Sequence, residues 1–462
     1  MLTKHTPLLC TLINLIGVTV VVIGWAPVPG YFLLEPILYC GIVILCLALL
    51  PAAVASVRRR SLLAYVAFAL WVVFSDSTSG EFLPALARDL HWLILPLLTV
   101  LYTRIFAGSG ESLKVLQVAV ALSLLLICYR VIHEADSVVL WASRMPMFGN
   151  VRRMAMTVGL MTVFLYHDVR YREKWLLTLA RIVGLSLLFW SGSRGAMLAW
   201  AVALWIFVWH TGQWARLRAW ALEATVAVFL AILFDVGDPQ MGLLTGALFR
   251  TWNRAVVGGS IDAVSSSRVT WWLKTLSTLQ DSHIALFGAG GNGFVRLELW
   301  YRQIFHPHNI VLQVLTDWGV GGLLLFLWLV KEGMPNCLKR TGKDGVAGLG
   351  LALMAFLLIT GLLDGGLYHL QYLFFASIAF ALIASAAPVE EPANTVTIPR
   401  LGIAVLLLSS MFVHWVLKDY RTLSPMNPLR QPYVAPSRDG SQACRQIPLP
   451  PAQPINNPLI LK

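Results

Sequence analysis

Residues 175–210 read WLLTLARIVGLSLLFWSGSRGAMLAWAVALWIFVWH. A helix crossing the hydrocarbon of a bilayer needs about 20 apolar residues, so this run is long enough for nearly two crossings. Its middle, Ser191-Gly192-Ser193-Arg194-Gly195, splits it into two short helices whose ends meet in a tight turn. Gly192 and Gly195 allow the chain to turn, and Arg194 is left at membrane depth, where an ionisable side chain is a functional candidate by default. Ser193 and the freed N–H groups that begin the second helix suit an oxyanion beside the Arg194 fork. The competing reading is a solvated reverse turn with an incidental arginine.

The rest of the chain has the same character. Of its 462 residues, 58% are apolar or aromatic and 13% are charged, against roughly a quarter charged in a soluble domain. This composition excludes a soluble globular enzyme and a disordered chain, and six Cys are too few for a disulfide scaffold. Further spans are expected at 8–25, 31–50, 61–75, 90–106, 114–133, 154–168, 174–191, 195–210, 217–235, 309–331, 345–363, 367–387 and 401–417, twelve or thirteen in all. The run after Lys4 has no A-x-A-like cleavage site and is read as the first span rather than a signal peptide.

The net charge of +12 suits nucleic acid or basic membrane loops equally well, and the placement of the charges decides. With a cytoplasmic N-terminus, the inside loops carry Arg58, Arg59 and Arg60; Arg170, Arg172 and Lys174; Arg216 and Arg218; and Lys331, Lys339, Arg340 and Lys343. That is the positive-inside bias, and it implies a membrane partner rather than nucleic acid. The expected organisation is an N-terminal bundle over 1–235, a large outer loop over 236–308, C-terminal spans over 309–417 and a Pro-rich tail over 418–462.

On the outer side, Arg152 and Arg153 enter a helix just after Gly149-Asn150, as substrate contacts or as a snorkelling helix-end pair. Ser265-Ser266-Ser267 caps an amphipathic helix whose first turn holds Arg268, where a cation opposes the macrodipole unless an anion is bound. A lipid-headgroup contact is the alternative. Gly288-Ala289-Gly290-Gly291-Asn292-Gly293 fits G-x-G-x-x-G, but no βαβ unit surrounds it, so a flexible turn is the reading. His306-Pro307-His308-Asn309 precedes a span, where a His can exchange a proton while sheltered by helices. Zinc on His283, His306 and His308 is disfavoured by the lack of H-E-x-x-H or a nearby carboxylate. Asp364, in Leu363-Asp364-Gly365-Gly366, reads first as an ordinary Asp-Gly turn and second as a partner for a His or an Arg.

These residues resemble the O-antigen ligase and polymerase superfamily of bacterial inner membranes. His308-Asn309, nine further residues and then Gly319-x-x-Gly322 are similar to the ligase His motif. Ser193-Arg194-Gly195 at a span end, and Arg268 followed by aromatics in a large outer loop, are similar to the family's essential basic positions. The resemblance implies an all-α, GT-C-like polytopic membrane glycosyltransferase with a periplasmic active site. It would move O-antigen glycan from undecaprenyl pyrophosphate to lipid A–core, without metal or other cofactor and with inversion. His308 would help to activate the acceptor hydroxyl. Arg194 and Arg268 would hold the pyrophosphate, with Arg152, Arg153, His306 and Asn309 as further substrate contacts. An O-antigen polymerase and a protein O-oligosaccharyltransferase share the donor and remain alternatives; a lipid or sugar transporter is the alternative of a different class. No D-x-D pair occurs, and the only acids in 250–308 are Asp262, Asp281 and Glu298, so Arg rather than Mg²⁺ is expected to supply the countercharge.

Overall fold

The computed structural model describes residues 59–108, 110–133, 151–167, 174–237, 268–297, 306–333, 344–365, 367 and 370–385. Among them helix is the only regular structure. The apolar runs become α1 (Arg59–Thr78), α2 (Phe82–Gly108), α3 (Gly110–His133), α4 (Val151–Phe164), α5 (Lys174–Trp190), α6 (Arg194–Thr211) and α7 (Leu217–Gly237). Short helices α8 (Arg268–Thr278), α9 (Ser282–Phe287) and α10 (Gly293–Arg296) follow, then α11 (Ile310–Gly333), α12 (Gly345–Asp364) and α13 (Leu370–Ser385). The expected spans at 8–25, 31–50 and 401–417 and the Pro-rich tail lie outside the described residues.

Five helices among the described residues are long and apolar enough to cross a membrane: Arg60–Thr78, Leu113–Ile132, Trp214–Phe234, Ile310–Glu332 and Gly345–Asp364. Their outer faces agree. Leu70 on α1, Leu222 and Phe229 on α7 and Leu324 on α11 are all exposed, an apolar display that only lipid covers without cost. The protein is a helical membrane protein.

Small residues let the helices approach closely. Gly184 of α5 sits against Thr162 of α4, and Gly348 of α12 against Thr211 and His210 of α6, the close backbone contact by which membrane helices associate. Helix α12 packs mainly on α6 and α13, α13 on α2, and α11 on α1. A partly buried polar staple joins α5 to α7: the Arg181 Nε and Nη2 donate to Glu223 at 2.8 and 2.6 Å, and Nη1 donates to the Leu165 carbonyl at 3.1 Å. Each helix end that matters below has a visible stop signal. Asp344 caps α12 by accepting from the Val346 N–H at 2.8 Å, and Gly365 closes its other end in the left-handed region at φ 67°.

Candidate active site

The break at 191–195 forms as a turn between α5 and α6. Gly192 makes the turn at φ 63°. Gly195 has a different role from the one its sequence position suggests: it lies inside α6, and a Cβ there would stand 2.6 Å from an Asp364 carboxylate oxygen. It is small so that Asp364 can reach the first turn of α6, where the dipole favours an anion. Ser193 is the N-cap and makes no side-chain capping bond; Ser191 instead donates to the Leu188 carbonyl and accepts from the Ser193 N–H.

Around that point α4 and α6 begin, α12 ends, and the segment leading into α11 passes. The buried Asp364 carboxylate pairs with Arg268, the first residue of α8. Burial first, then the fields of Arg152 and Arg194, weakens the Arg268 guanidinium's hold on its proton, and Asp364 opposes them. The guanidinium nonetheless stays charged at neutral pH. Arg268 is thus paired with Asp364, and the charges of Arg152 and Arg194, from the first turns of α4 and α6, reach the same guanidinium.

His308 stands beside them. Its backbone takes φ 55°, a left-handed conformation that costs a non-glycine residue on the order of 1 kcal/mol. Its Nδ1 is 3.3 Å from the Asp364 carbonyl oxygen, and its own N–H donates to His306 Nδ1 at 3.2 Å. The two imidazoles lie 4.3 Å apart, and His306 rests over Gly365, where a Cβ would meet it at 2.6 Å. With Nδ1–H donating to the carbonyl, Nε2 carries the lone pair. Burial and then the Arg268 charge push the His308 imidazole down to about 4, against the pull of Asp364. It is neutral at pH 7 and able to accept a proton.

The remaining sequence candidates take supporting places. Asn309 caps α11, its Oδ1 accepting from the Val311 and Leu312 N–H groups at 3.0 and 3.1 Å, and so fixes the exit of the His308 segment. The Arg153 carbonyl accepts from Tyr372 at 3.0 Å and from Thr157 at 2.9 Å, tying the first turn of α4 to α13. Trp272 donates from its indole to the Pro307 carbonyl at 2.9 Å, which couples α8 to the histidine segment. His283 is on α9 against Phe287, with ring centroids 5.3 Å apart.

The fold and these residues define a class: a polytopic helical membrane protein with a cationic, histidine-bearing site at the helix ends. Residues 179–327 match the family model Wzy_C, described as O-antigen ligase. The match covers about a third of the chain and agrees with the resemblance drawn from the sequence. It spans Arg194, Arg268, His306 and His308, while Arg152 and Asp364 fall outside it. No curated protein matches the chain.

Proposed function

We propose that the protein is an O-antigen ligase, a glycosyltransferase that moves glycan from undecaprenyl pyrophosphate to lipid A–core. In this reading it works at the periplasmic face of the bacterial inner membrane, within a GT-C-like frame of twelve or thirteen spans. The observation that carries the reading is the charge balance of the site. Arg268 is paired with Asp364, and the charges of Arg152 and Arg194 also reach it, so positive charge is in excess. A pyrophosphate diester brings two negative charges, and guanidinium forks suit its oxygens.

The acceptor hydroxyl gives its proton to His308 Nε2 as its oxygen attacks the anomeric carbon from the face opposite the leaving group. The bond from that carbon to the phosphate oxygen breaks, and its electron pair leaves with the lipid pyrophosphate, so the configuration inverts. Arginines aimed at the leaving oxygens act on charge that develops in the transition state, the interaction most effective in catalysis. A positioned base adds roughly 100- to 10,000-fold. Undecaprenyl pyrophosphate carries its own leaving group, which suits a compartment without ATP.

The test is transfer in proteoliposomes from undecaprenyl-pyrophosphate glycan, with lipid A–core as acceptor and EDTA present. Wild type is expected to glycosylate lipid A–core and His308→Ala to lose that activity. Donor chains that lengthen instead would make the protein a polymerase, and a protein acceptor would make it an O-oligosaccharyltransferase. No transfer under any acceptor or metal condition would leave the transporter.

A further inference from the structure

The glycine-rich segment 288–293 is not a flexible turn. It is lodged among α1, α2 and α11, with Gly288, Gly290, Gly291 and Gly293 buried. Asp76 of α1, Asp89 of α2 and Asp317 of α11, exposed by 0%, 1% and 2%, surround it. Asp76 accepts the Gly291 N–H at 2.8 Å, and Asp317 accepts the Gly293 N–H at 2.7 Å with one oxygen and the Gln313 amide at 2.7 Å with the other. Asp89 accepts the Trp318 indole N–H at 2.6 Å. Gly291 comes so near Asp89 that a Cβ would stand 2.7 Å from its carboxyl carbon. Two main-chain bonds, from Ala289 to the Thr316 carbonyl and from Gly290 to the Asp317 carbonyl, both 2.8 Å, complete the grip.

Three buried carboxyl groups side by side are expensive to fold, and Asp76 lies in the last turn of α1, where the helix dipole disfavours an anion. The transfer chemistry uses none of them. What they hold is backbone that leads to the site from both sides. Beyond Gly293, the buried Phe294 of α10 stacks on Trp271 of α8, rings 12° apart with centroids at 6.5 Å, and α8 begins with Arg268. Before Gly288, the end of α9 rests on Gly319, where α11 is kinked at φ 65°, and the start of α11 follows His308.

We propose that Asp76 and Asp317 are positioning residues for the transfer reaction: with Asp89 packed against Gly291, they clamp the 288–293 backbone and, through the Phe294–Trp271 stack, place Arg268 where the pyrophosphate must bind. For its substrate this rests on the function proposed above.

The full chain in proteoliposomes serves for two readouts: amide hydrogen exchange in 268–278 and 288–297, and kcat and KM for the undecaprenyl-pyrophosphate donor. Asp317→Ala is expected to lose protection in both segments and to raise the donor KM about tenfold or more, the scale of a misplaced contact. Asp317→Asn keeps an oxygen to accept from Gly293 and is expected to recover most of the wild-type KM. Phe294→Leu leaves the acids alone; it is expected to keep 288–293 protected, loosen 268–278 and raise the donor KM, and it decides the matter if Asp317→Ala does not fold. Wild-type KM in folded Asp317→Ala or in Phe294→Leu, or unchanged protection of 268–278, overturns the clamp and leaves the acids a purely structural role. If the wild type transfers glycan to no acceptor, the proposed function fails while the exchange pattern of the same variants still decides the clamp.

Discussion

His308 combines a strained backbone, a neutral ring and a cationic neighbourhood, and its titration is the most direct readout of the site. An imidazole held at about 4 against an ordinary 6.5 binds fewer protons folded than unfolded. Its contribution to stability is therefore complete above pH 6.5 and is lost as pH falls toward 4. In the proposed role of general base, His308 is expected to keep donor kcat/KM intact down to about pH 4, and pyrophosphate bound as proposed is expected to cancel part of the Arg268 field and move the acid limb of kcat upward. Separate pH profiles of kcat/KM and kcat check this, and coincident limbs would count against pyrophosphate lying beside the ring. Asp364→Ala leaves Arg268 without the carboxylate it pairs with and is expected to cost about 100-fold in transfer, measured against folded protein. His308 and the arginines were legible because a basic or titratable residue on an outer span end stands out against an apolar background. Asp364 was legible only as a second reading, a partner for a His or an Arg, because Asp-Gly is a common turn and its carboxylate's partners, Arg268 and the first turn of α6, are distant in sequence.

At the scale of elements, α6 and α12 meet through Gly195 and the α5–α7 pair is pinned by charge. Gly195→Ala puts a methyl group into the Asp364 carboxylate and is expected to lower transfer by at least about tenfold with little change in thermal stability, a split read by assay and melting in parallel. Glu223→Ala strands Arg181 between helices, where it also stacks on Tyr166 at 5.6 Å, and is expected to destabilise the protein by roughly 3 kcal/mol, measured by denaturant titration in detergent. Replacing both partners by apolar residues should recover most of that loss. The helices themselves were largely readable, since 61–75, 114–133, 217–235 and 309–331 differ from α1, α3, α7 and α11 only at their ends. Helix α2 starts eight residues before the expected 90 and contains Arg88 and Asp89; Asp89 is buried with the Trp318 indole of α11 as its donor, a partner that hydropathy alone does not foresee.

For the whole molecule, the decisive property is an excess of positive charge at the helix ends inside an apolar frame. Such a site gathers anions through fields that salt screens, so the donor KM is expected to rise with ionic strength, and less so in Arg268→Ala; a salt-independent KM would contradict pyrophosphate recognition by these arginines. The sequence by itself determined the membrane class, the helical content and the residues suited to carry charge and protons. Those follow from hydropathy, period and side-chain chemistry, which are local. Only the tertiary structure decided that Asp364 completes the arginine cluster and that Gly195 is small for its sake. Only it showed that the glycine run 288–293 is gripped by Asp76 and Asp317 rather than left as a loose turn. These are contacts across 24 to 215 residues of chain, and no local pattern encodes which buried partner a carboxylate will find.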